Sequence, residues 1–410
     1  MSSYVKKKNS SEMSNKKLTL RQKLIVALGI VLCLVIIVFA SAYGVFLHYY
    51  NKMNITSVND NDEVVTAIDY EEDDINEQEL TDEERQQLNQ LLEDAMTIDE
   101  DSVSSENVDG KKTDPADDDN TGRETASDED TASKDTAAQS VKVSSKDVTN
   151  ILLVGTDSRQ KGNKRSRTDT MIILSIDKKN KKMTMTSVLR DTFVKIPGVG
   201  NNRLNAAFVF GGPKLLFKTF DQNFGIHLDK YVQIDFFNFV RLVDAVGGVD
   251  LKLTKDEINL MNKTYIPYIN KNTNKKNTSN RITPNKSGVY HLNGVQTLAY
   301  SRIRYIGTDF ARSERQRKVI AQIIKKTKKL SVSEINDLAD IVLPMISTNL
   351  SQGEVMSLLL NAKEYLNYKI VNGRMPINGS YKYMKVRGAS VLGVNFDKNK
   401  KYWYNLVYGK

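Results

Sequence analysis

Leu24 to Leu47 is a run of 24 residues without one charged side chain, and no other feature limits the fold of this chain so tightly. At a rise of about 1.5 Å per residue, a helix of about 20 apolar residues crosses the hydrocarbon core of a bilayer. The run is therefore expected to be a single transmembrane helix. Residues 1–23, ahead of it, carry seven basic side chains (Lys6, Lys7, Lys8, Lys16, Lys17, Arg21 and Lys23) against one acid, Glu12. Such a flank stays in the cytoplasm, which sends everything after His48 outside the plasma membrane. Ala40-Ser41-Ala42 offers the alternative of a cleaved signal peptide. The length of the run favours a retained anchor, and either reading exports the remainder.

The single cysteine, Cys33, lies inside this run, so the exported part can form no intramolecular disulfide and no thiolate metal site. Core packing has to hold that part together. Its histidines are scattered, which argues against a histidine-built zinc site.

Charge divides the exported part in two. Residues 60–140 hold 29 of the 50 acids and five basic residues, a net of −24. Apolar side chains there are too sparse to offset the entropy of ordering, so residues 48–145 are expected to be a disordered acidic spacer. Thr81 to Met96 is the exception, with Leu88, Leu91, Leu92 and Met96 at the spacing of a short helix. Residues 141–410 carry the opposite balance, 46 basic against 20 acidic side chains. A field of that sign outside a membrane suits anionic lipid or anionic wall polymer, and no nucleic acid is expected there.

Residues 146–330 alternate between two periods. Asn150 to Gly155, Thr170 to Ile176 and Met183 to Val188 read as strands, the last two joined by a lysine-rich turn. Leu204 to Phe210 and Pro213 to Phe220 suit helices parted by Gly211-Gly212. A strand at Tyr231 to Ile234, a helix to Val246 and a strand at Val249 to Leu253 follow, then a polar surface loop over 260–287. The last long helix is expected from Asp309 to Leu330. The pattern is α/β, an α-β-α layered domain around a central mixed sheet. Residues 331–410 are expected to be a separate C-terminal extension whose chemistry is not legible.

The helix after Phe310 has an apolar stripe of Val319, Ile320, Ile323 and Ile324. Carried one turn toward the N-terminus, the stripe reaches Arg312, Arg315 and Gln316. Cations on a buried face are costly unless an anion meets them, and a phosphate at a helix start would do so. Snorkelling to solvent, or pairing with Asp309 and Glu314, is the alternative. More charges gather at strand ends: Asp157, Arg167 with Asp169, and Arg190 with Asp191, where α/β sheets hold ligands. Arg302 and Arg304 share one face if their segment is extended. Carboxylates without nearby His or Cys suit Mg²⁺ or Mn²⁺ bound together with substrate phosphate.

Taken in order, Asn150-Ile151-Leu152-Leu153-Val154-Gly155-Thr156-Asp157-Ser158-Arg159, Arg167-Thr168-Asp169-Thr170 and Ser187-Val188-Leu189-Arg190-Asp191-Thr192 resemble blocks of the LytR–CpsA–Psr family. So do Arg203-Leu204-Asn205-Ala206-Ala207, Asp244-Ala245-Val246-Gly247-Gly248-Val249, Leu292-Asn293-Gly294 and Asp309-Phe310-Ala311-Arg312 with Arg315-Gln316. The resemblance implies a transferase of the Gram-positive wall. Such an enzyme attaches an anionic glycopolymer, teichoic acid or capsule polysaccharide, from an undecaprenyl-pyrophosphate carrier to peptidoglycan through a phosphodiester bond. It further implies that Asp157 and Asp169 hold Mg²⁺, and that Arg167, Arg190, Arg302, Arg304, Arg312, Arg315 and Gln316 bind the pyrophosphate.

Asp191 is a candidate base, with ion pairing as the equal alternative. Val209, Phe210, Leu215, Leu216, Phe220, Phe236, Phe237 and Phe239 are candidates for an apolar slot for the polyprenyl tail, with ordinary core as the alternative for at least half of them. A pyrophosphatase and a non-catalytic binder of lipid pyrophosphate stay open beside the transferase. A transcription attenuator conflicts with the expected export.

Overall fold

The structure is a computed structural model, and it describes residues 44, 46–56, 58, 83, 86, 90, 147–157, 166–272, 280–386 and 388–409. The described residues fall into two units, one ending at Asn51 and the other beginning at Lys52. In the first, residues 46–50 are helical. Nearly all of the run from Leu24 to Leu47, expected to span a membrane, lies outside the described residues, and so does most of the acidic spacer. Among the described residues no helix is long and apolar enough to cross a membrane. Of the short helix expected over Thr81 to Met96, residues 83, 86 and 90 are described and are helical.

The second unit is built on the apolar runs. Its strands are β1 (Asn54–Ile55), β2 (Val148–Thr156), β3 (Thr168–Asp177), β4 (Lys182–Val188), β5 (Phe193–Ile196), β6 (Gly200–Arg203) and β7 (Tyr231–Asp235). After them come β8 (Val249–Leu253), β9 (Gly288–Leu292), β10 (Ile346–Thr348), β11 (Lys369–Met375), β12 (Tyr381–Val386) and β13 (Ala389–Val394). The helices are α1 (Ala206–Phe224), α2 (Phe236–Ala245), α3 (Lys255–Leu260), α4 (Ile266–Asn272) and α5 (Gly294–Ser301). They continue with α6 (Asp309–Thr327), α7 (Val332–Val342), α8 (Gln352–Leu360), α9 (Ala362–Tyr365) and α10 (Phe396–Tyr408).

Seven strands form one mixed sheet in the order β1-β10-β7-β2-β3-β4-β11. β2 and β7 are parallel, as are β4 and β11, while β3 runs antiparallel to both of its neighbours. Alternate side chains of the central strands serve opposite faces, so β2 and β3 hold continuous apolar runs, Ile151 to Val154 and Met171 to Leu174, while β4 alternates Met with Thr. On one face Leu152 and Val154 of β2 pack with Phe208, Phe220 and Phe224 of α1 and with Trp403 and Val407 of α10. On the other, Ile151 and Ile176 meet Tyr365 and Tyr368, with Ile324 of α6 and Leu358 of α8 against them. A third cluster, from α2, α5, β8 and α6, packs separately. The α-β-α layering expected from the alternation is present.

The two helices expected on either side of Gly211-Gly212 are present within α1, because both glycines leave helical angles and Gly212 adopts φ +62, which a side chain disfavours. Three expectations need correction. First, the acidic spacer does not begin at residue 48, since Asn54–Ile55 form β1 and pair with β10. Second, the segment 260–287 is helical as far as Asn272. Thr254 and Glu257 cap each other's backbone at the start of α3, and a π turn over Met261–Tyr265 leads into α4. Its Asn- and Lys-rich composition hides that capping signal. Third, residue 330 is not a boundary of the fold. β10 lies between β1 and β7, and β11 pairs with β4 over seven residues, from Lys369 with Lys182 to Met375 with Val188. α10 packs so close over β11 that a side chain at Gly373 would collide with Leu406 and crowd the Thr186 and Tyr402 hydroxyls.

This weaving makes residues 331–410 part of the core. Trp403 is 1% exposed, so Trp403→Ala is expected to destabilise the protein by about 3–5 kcal/mol, read as a lower denaturant midpoint. An unchanged midpoint would mean that the C-terminal residues are an appendage after all.

Candidate functional site

β2 ends at Thr156 and β3 begins at Thr168, and these two residues pair across the ladder. Asp157 stands one residue beyond that pair, and Asp169 is the second residue of β3, at the slip in register between Gly155 with Thr170 and Thr156 with Thr168, at the same edge of the sheet. β4, antiparallel to β3, ends at this edge too and delivers Arg190 and Asp191, while β7 arrives in parallel beside β2. Open α/β sheets place ligands at such strand ends.

A cavity of about 1020 Å³ begins here. Its charged end is lined by Arg167, Arg190, Arg203, Arg302, Arg304 and Arg312, with Asp157, Asp169 and Gln316 among them. Arg190 donates through Nη1 to Asp169 Oδ1, and its Nε lies 3.4 Å from Asp191 Oδ2. Arg304 Nη2 lies 3.7 Å from the same Asp169 oxygen, and Arg302 Nη2 lies 3.4 Å from Asp157 Oδ2. The Arg302 guanidinium also sits 4.5 Å from the centre of the Phe236 ring and 5.4 Å from that of Tyr268, a cation–π fork that fixes its plane. Burial alone would raise the Asp169 carboxyl, but Arg190, then Arg312 and Arg304, hold it below the usual range. Six guanidiniums against the four carboxylates that pair with them, Asp157, Asp169, Asp191 and Asp309, leave this end positive, which suits an anionic ligand.

Helix α6 carries the cavity inward. Arg312, Gln316, Ile320 and Ile323 recur every three or four residues along one stripe and all line the cavity. The lining changes from cation to amide to hydrocarbon over about 16 Å of helix, at 1.5 Å per residue. Facing Ile320 and Ile323 across the inner part are Ile172, Val232 and Ile234 of the sheet and Phe236, Phe239 and Leu242 of α2. One cavity thus joins a polycationic end to an apolar channel.

Most expected site residues meet here, and some do not. Arg302 and Arg304 both reach the cavity, although their segment is not extended. α5 ends at Ser301, Arg302 keeps helical angles (φ −99, ψ −4), and a turn follows, with the Arg304 N–H donating to the Tyr265 hydroxyl at 3.0 Å. Of the apolar candidates, Val209, Phe210, Phe236 and Phe239 line the cavity. Leu215, Leu216 and Phe220 are 3%, 0% and 0% exposed and belong to the core behind it. The bend at Gly211-Gly212 separates them from Phe210. Phe237 lines a small side pocket with Asp157 and Arg302 instead. Asp191 does not line the cavity. It pairs with Arg190 and, at 3.5 Å, with Arg203, so its ion-pair alternative is the one the geometry shows. Burial, and then Asp309, raises its carboxyl above the usual range against the pull of Arg190 and Arg203.

Arg203 is a cavity residue that sequence reasoning leaves unassigned, although it stands in a block that carries the family resemblance. Tyr265 and Tyr268 are hidden in the segment expected to be a loop. Arg317 is also buried, its Nη1 donating to Ser187 Oγ at 2.6 Å, and nothing in the stripe of α6 singles it out.

For a divalent cation, Asp157 and Asp169 are the adjacent hard donors. Among the described residues no group of three or more His, Cys, Asp or Glu side chains could hold a metal. Two carboxylates suit Mg²⁺ or Mn²⁺ where phosphate oxygens and water complete the shell.

Arg315 is a clear departure from expectation. It is 7% exposed and its Nε donates to Glu257 Oε1 at 2.9 Å, while Nη1 and Nη2 donate to the carbonyls of Ile303 and Ile306. Its charge is already neutralised, and its other donors hold the turn that presents Arg304. Arg315→Met leaves Glu257 buried without its partner, so it is expected to cost about 3–5 kcal/mol in a denaturant titration, with Glu257→Gln in the same chain restoring part. Unchanged stability together with lost pyrophosphate binding would return Arg315 to the ligand-binding set.

Comparison with known proteins gives a consistent family. The LytR_cpsA_psr family model matches residues 118–407, which takes in β10, β11 and most of α10. The chain is 31% identical over 257 residues to the regulatory protein MsrR of Staphylococcus aureus strain Mu50, an alignment of 62% of this chain and 72% of that protein. It is 32% identical over 226 residues to the polyisoprenyl-teichoic acid–peptidoglycan teichoic acid transferase TagU of Enterococcus faecalis strain V583, covering 54% of this chain and 68% of TagU. A solved structure of TagT bound to LIIa-WTA superposes with a TM-score of 0.50 at 26% identity, over 64% of this chain and 92% of its own. The chain belongs to the LytR_cpsA_psr family.

Proposed function

We propose that this protein is a transferase that moves a glycopolymer from a polyprenyl-pyrophosphate carrier, of the undecaprenyl type, to a hydroxyl of peptidoglycan. The single observation that carries the proposal is the composite cavity, polycationic at the strand ends and apolar along α6. A pyrophosphate on a long hydrocarbon chain has those two halves in that order. The name of the relative TagU, a teichoic acid transferase, supports the same reading and the nature of the polymer.

Arg190, Arg302, Arg304 and Arg312, with Arg167 and Arg203, would bind and orient the two phosphates and spread their charge. Asp169 keeps Arg190 and Arg304 aimed at one point, and Gln316 stands where charge gives way to hydrocarbon. Asp157 and Asp169 would hold Mg²⁺ or Mn²⁺, whose chemistry when bound is to neutralise charge on phosphate oxygens. The acceptor hydroxyl attacks the phosphorus next to the polymer. A P–O bond forms there as the hydroxyl gives up its proton to solvent, and the P–O bond to the lipid phosphate breaks, releasing lipid phosphate and leaving the polymer joined through a phosphodiester. Positioning and charge neutralisation are what such a transfer asks of a protein, and the lining supplies both.

The apolar run at residues 24–47 and its lysine-rich flank support a single-pass anchor with the cytoplasmic end at residue 1 and the cavity outside the plasma membrane, where lipid-linked polymer and peptidoglycan meet.

The test uses the full chain in detergent with a short lipid-pyrophosphate-linked glycan, uncrosslinked peptidoglycan and Mg²⁺, and reads joined product by mass spectrometry. Product is expected, lost on chelation and restored by added Mg²⁺, with Arg190→Ala slower by about 100-fold or more. Lipid phosphate released without joined glycan would mean a pyrophosphatase, and tight binding without turnover would mean a binding module.

A further inference from the structure

We infer that Tyr383 and Tyr381 of β12, with Asp309 at the start of α6, form the subsite for the acceptor glycan, an inference that rests on the transferase reading above. The stripe of α6 orders the site along one axis. Arg312 lies between Asp309, about 4.5 Å before it, and the apolar Ile320 and Ile323 that follow it, at 1.5 Å per residue. Whatever sits at Asp309 is therefore on the far side of Arg312 from the lipid channel. In a displacement at phosphorus the attacking and leaving oxygens stand roughly in line, so the hydroxyl enters opposite the departing lipid phosphate. That entry is at the Asp309 end.

The surface there has the chemistry of a sugar site. Tyr383 is 41% exposed. Its ring stands edge-on to Tyr381 at 5.9 Å and 86°, Tyr381 lies 4.9 Å from Phe310, and the Arg374 guanidinium sits 4.5 Å from the Phe310 ring. This ladder backs Tyr383 with packed rings. Phe310, against which Tyr381 packs, follows Asp309 in the first turn of α6, so the tyrosine pair stands beside that turn. Arg312 Nη1, 3.1 Å from Asp309 Oδ1, helps keep Asp309 ionised against its burial. An aromatic face offers a stacking surface to the C–H side of a sugar, and the adjacent carboxylate accepts its hydroxyls. A second phosphate would be repelled by that carboxylate. The hairpin formed by β12 and β13 is tied to the site: Arg203, which lines the cavity, donates to the Ser390 carbonyl at 2.9 and 3.2 Å, and Leu392 N–H donates to the carbonyl of Asp191, behind the lining, at 2.9 Å.

Binding separates the two halves of the site. The full chain in detergent is titrated with an uncrosslinked peptidoglycan tetrasaccharide and, separately, with a short prenyl pyrophosphate. Tyr383→Ala is expected to weaken the tetrasaccharide about tenfold, the loss of one aromatic contact, and to leave prenyl pyrophosphate unaffected. Tyr383→Phe, which keeps the ring, is expected to bind the tetrasaccharide as the unaltered chain does. Equal binding of the tetrasaccharide by Tyr383→Ala, or no binding by the unaltered chain saturated with prenyl pyrophosphate, would overturn the subsite. Failure of the unaltered chain to bind prenyl pyrophosphate would instead overturn the transferase reading, and this inference with it.

Discussion

Arg190, from just after β4, and Arg312, from the first turns of α6, line one end of the cavity, and burial and then the charge of Arg190 hold the Arg312 guanidinium below its ordinary value. Arg312 is 4% exposed, so water screens little of this repulsion. The cluster holds because carboxylates are interleaved with it. Asp169 takes Arg190 and Arg304, Asp157 takes Arg302, Asp309 takes Arg312, and Asp191 takes Arg190 and Arg203. Those partners come from β3, from the residues after β2 and β4, and from the first turn of α6. Their convergence requires the strand order and register of the sheet.

The paired carboxylates leave the lining positive, and this residual charge is what the site has to offer a ligand. Arg315 shows the contrast within one helix. Its charge is fully met by Glu257, and it serves the backbone of a turn. Arg312, one turn away, keeps its guanidinium in the cavity lining. Charge left over at one end of α6 and hydrocarbon at the other give the cavity a direction, which a molecule with a charged head and a hydrocarbon tail can follow.

Arg312 and Gln316 are legible in the sequence because the apolar stripe of α6 runs straight into them. The same stripe includes Arg315 wrongly, since the residue that neutralises it, Glu257, lies 58 positions away on another helix. Strand ends are legible from short apolar runs, and with them Asp157, Asp169 and Arg190. β10 and β11 are not, because three residues of Ile-Ser-Thr and the sequence Lys-Ile-Val-Asn-Gly-Arg-Met show no apolar period, and their pairing with β7 and β4 spans long stretches of chain. The apolar wall is half legible. Phe210 lies before the break at Gly211-Gly212 and Leu216 and Phe220 after it, and the angle set at that break decides which reaches the cavity.

The claim on which the account depends is that one cavity takes a pyrophosphate and its hydrocarbon chain together. Ile320→Trp tests it, because a larger ring at that position fills the channel and leaves the arginines in place. Calorimetric titration of the full chain in detergent is expected to show prenyl pyrophosphate weakened about tenfold or more while inorganic pyrophosphate binds as before. Prenyl pyrophosphate bound equally well by Ile320→Trp would put the hydrocarbon chain elsewhere on the protein and contradict the account.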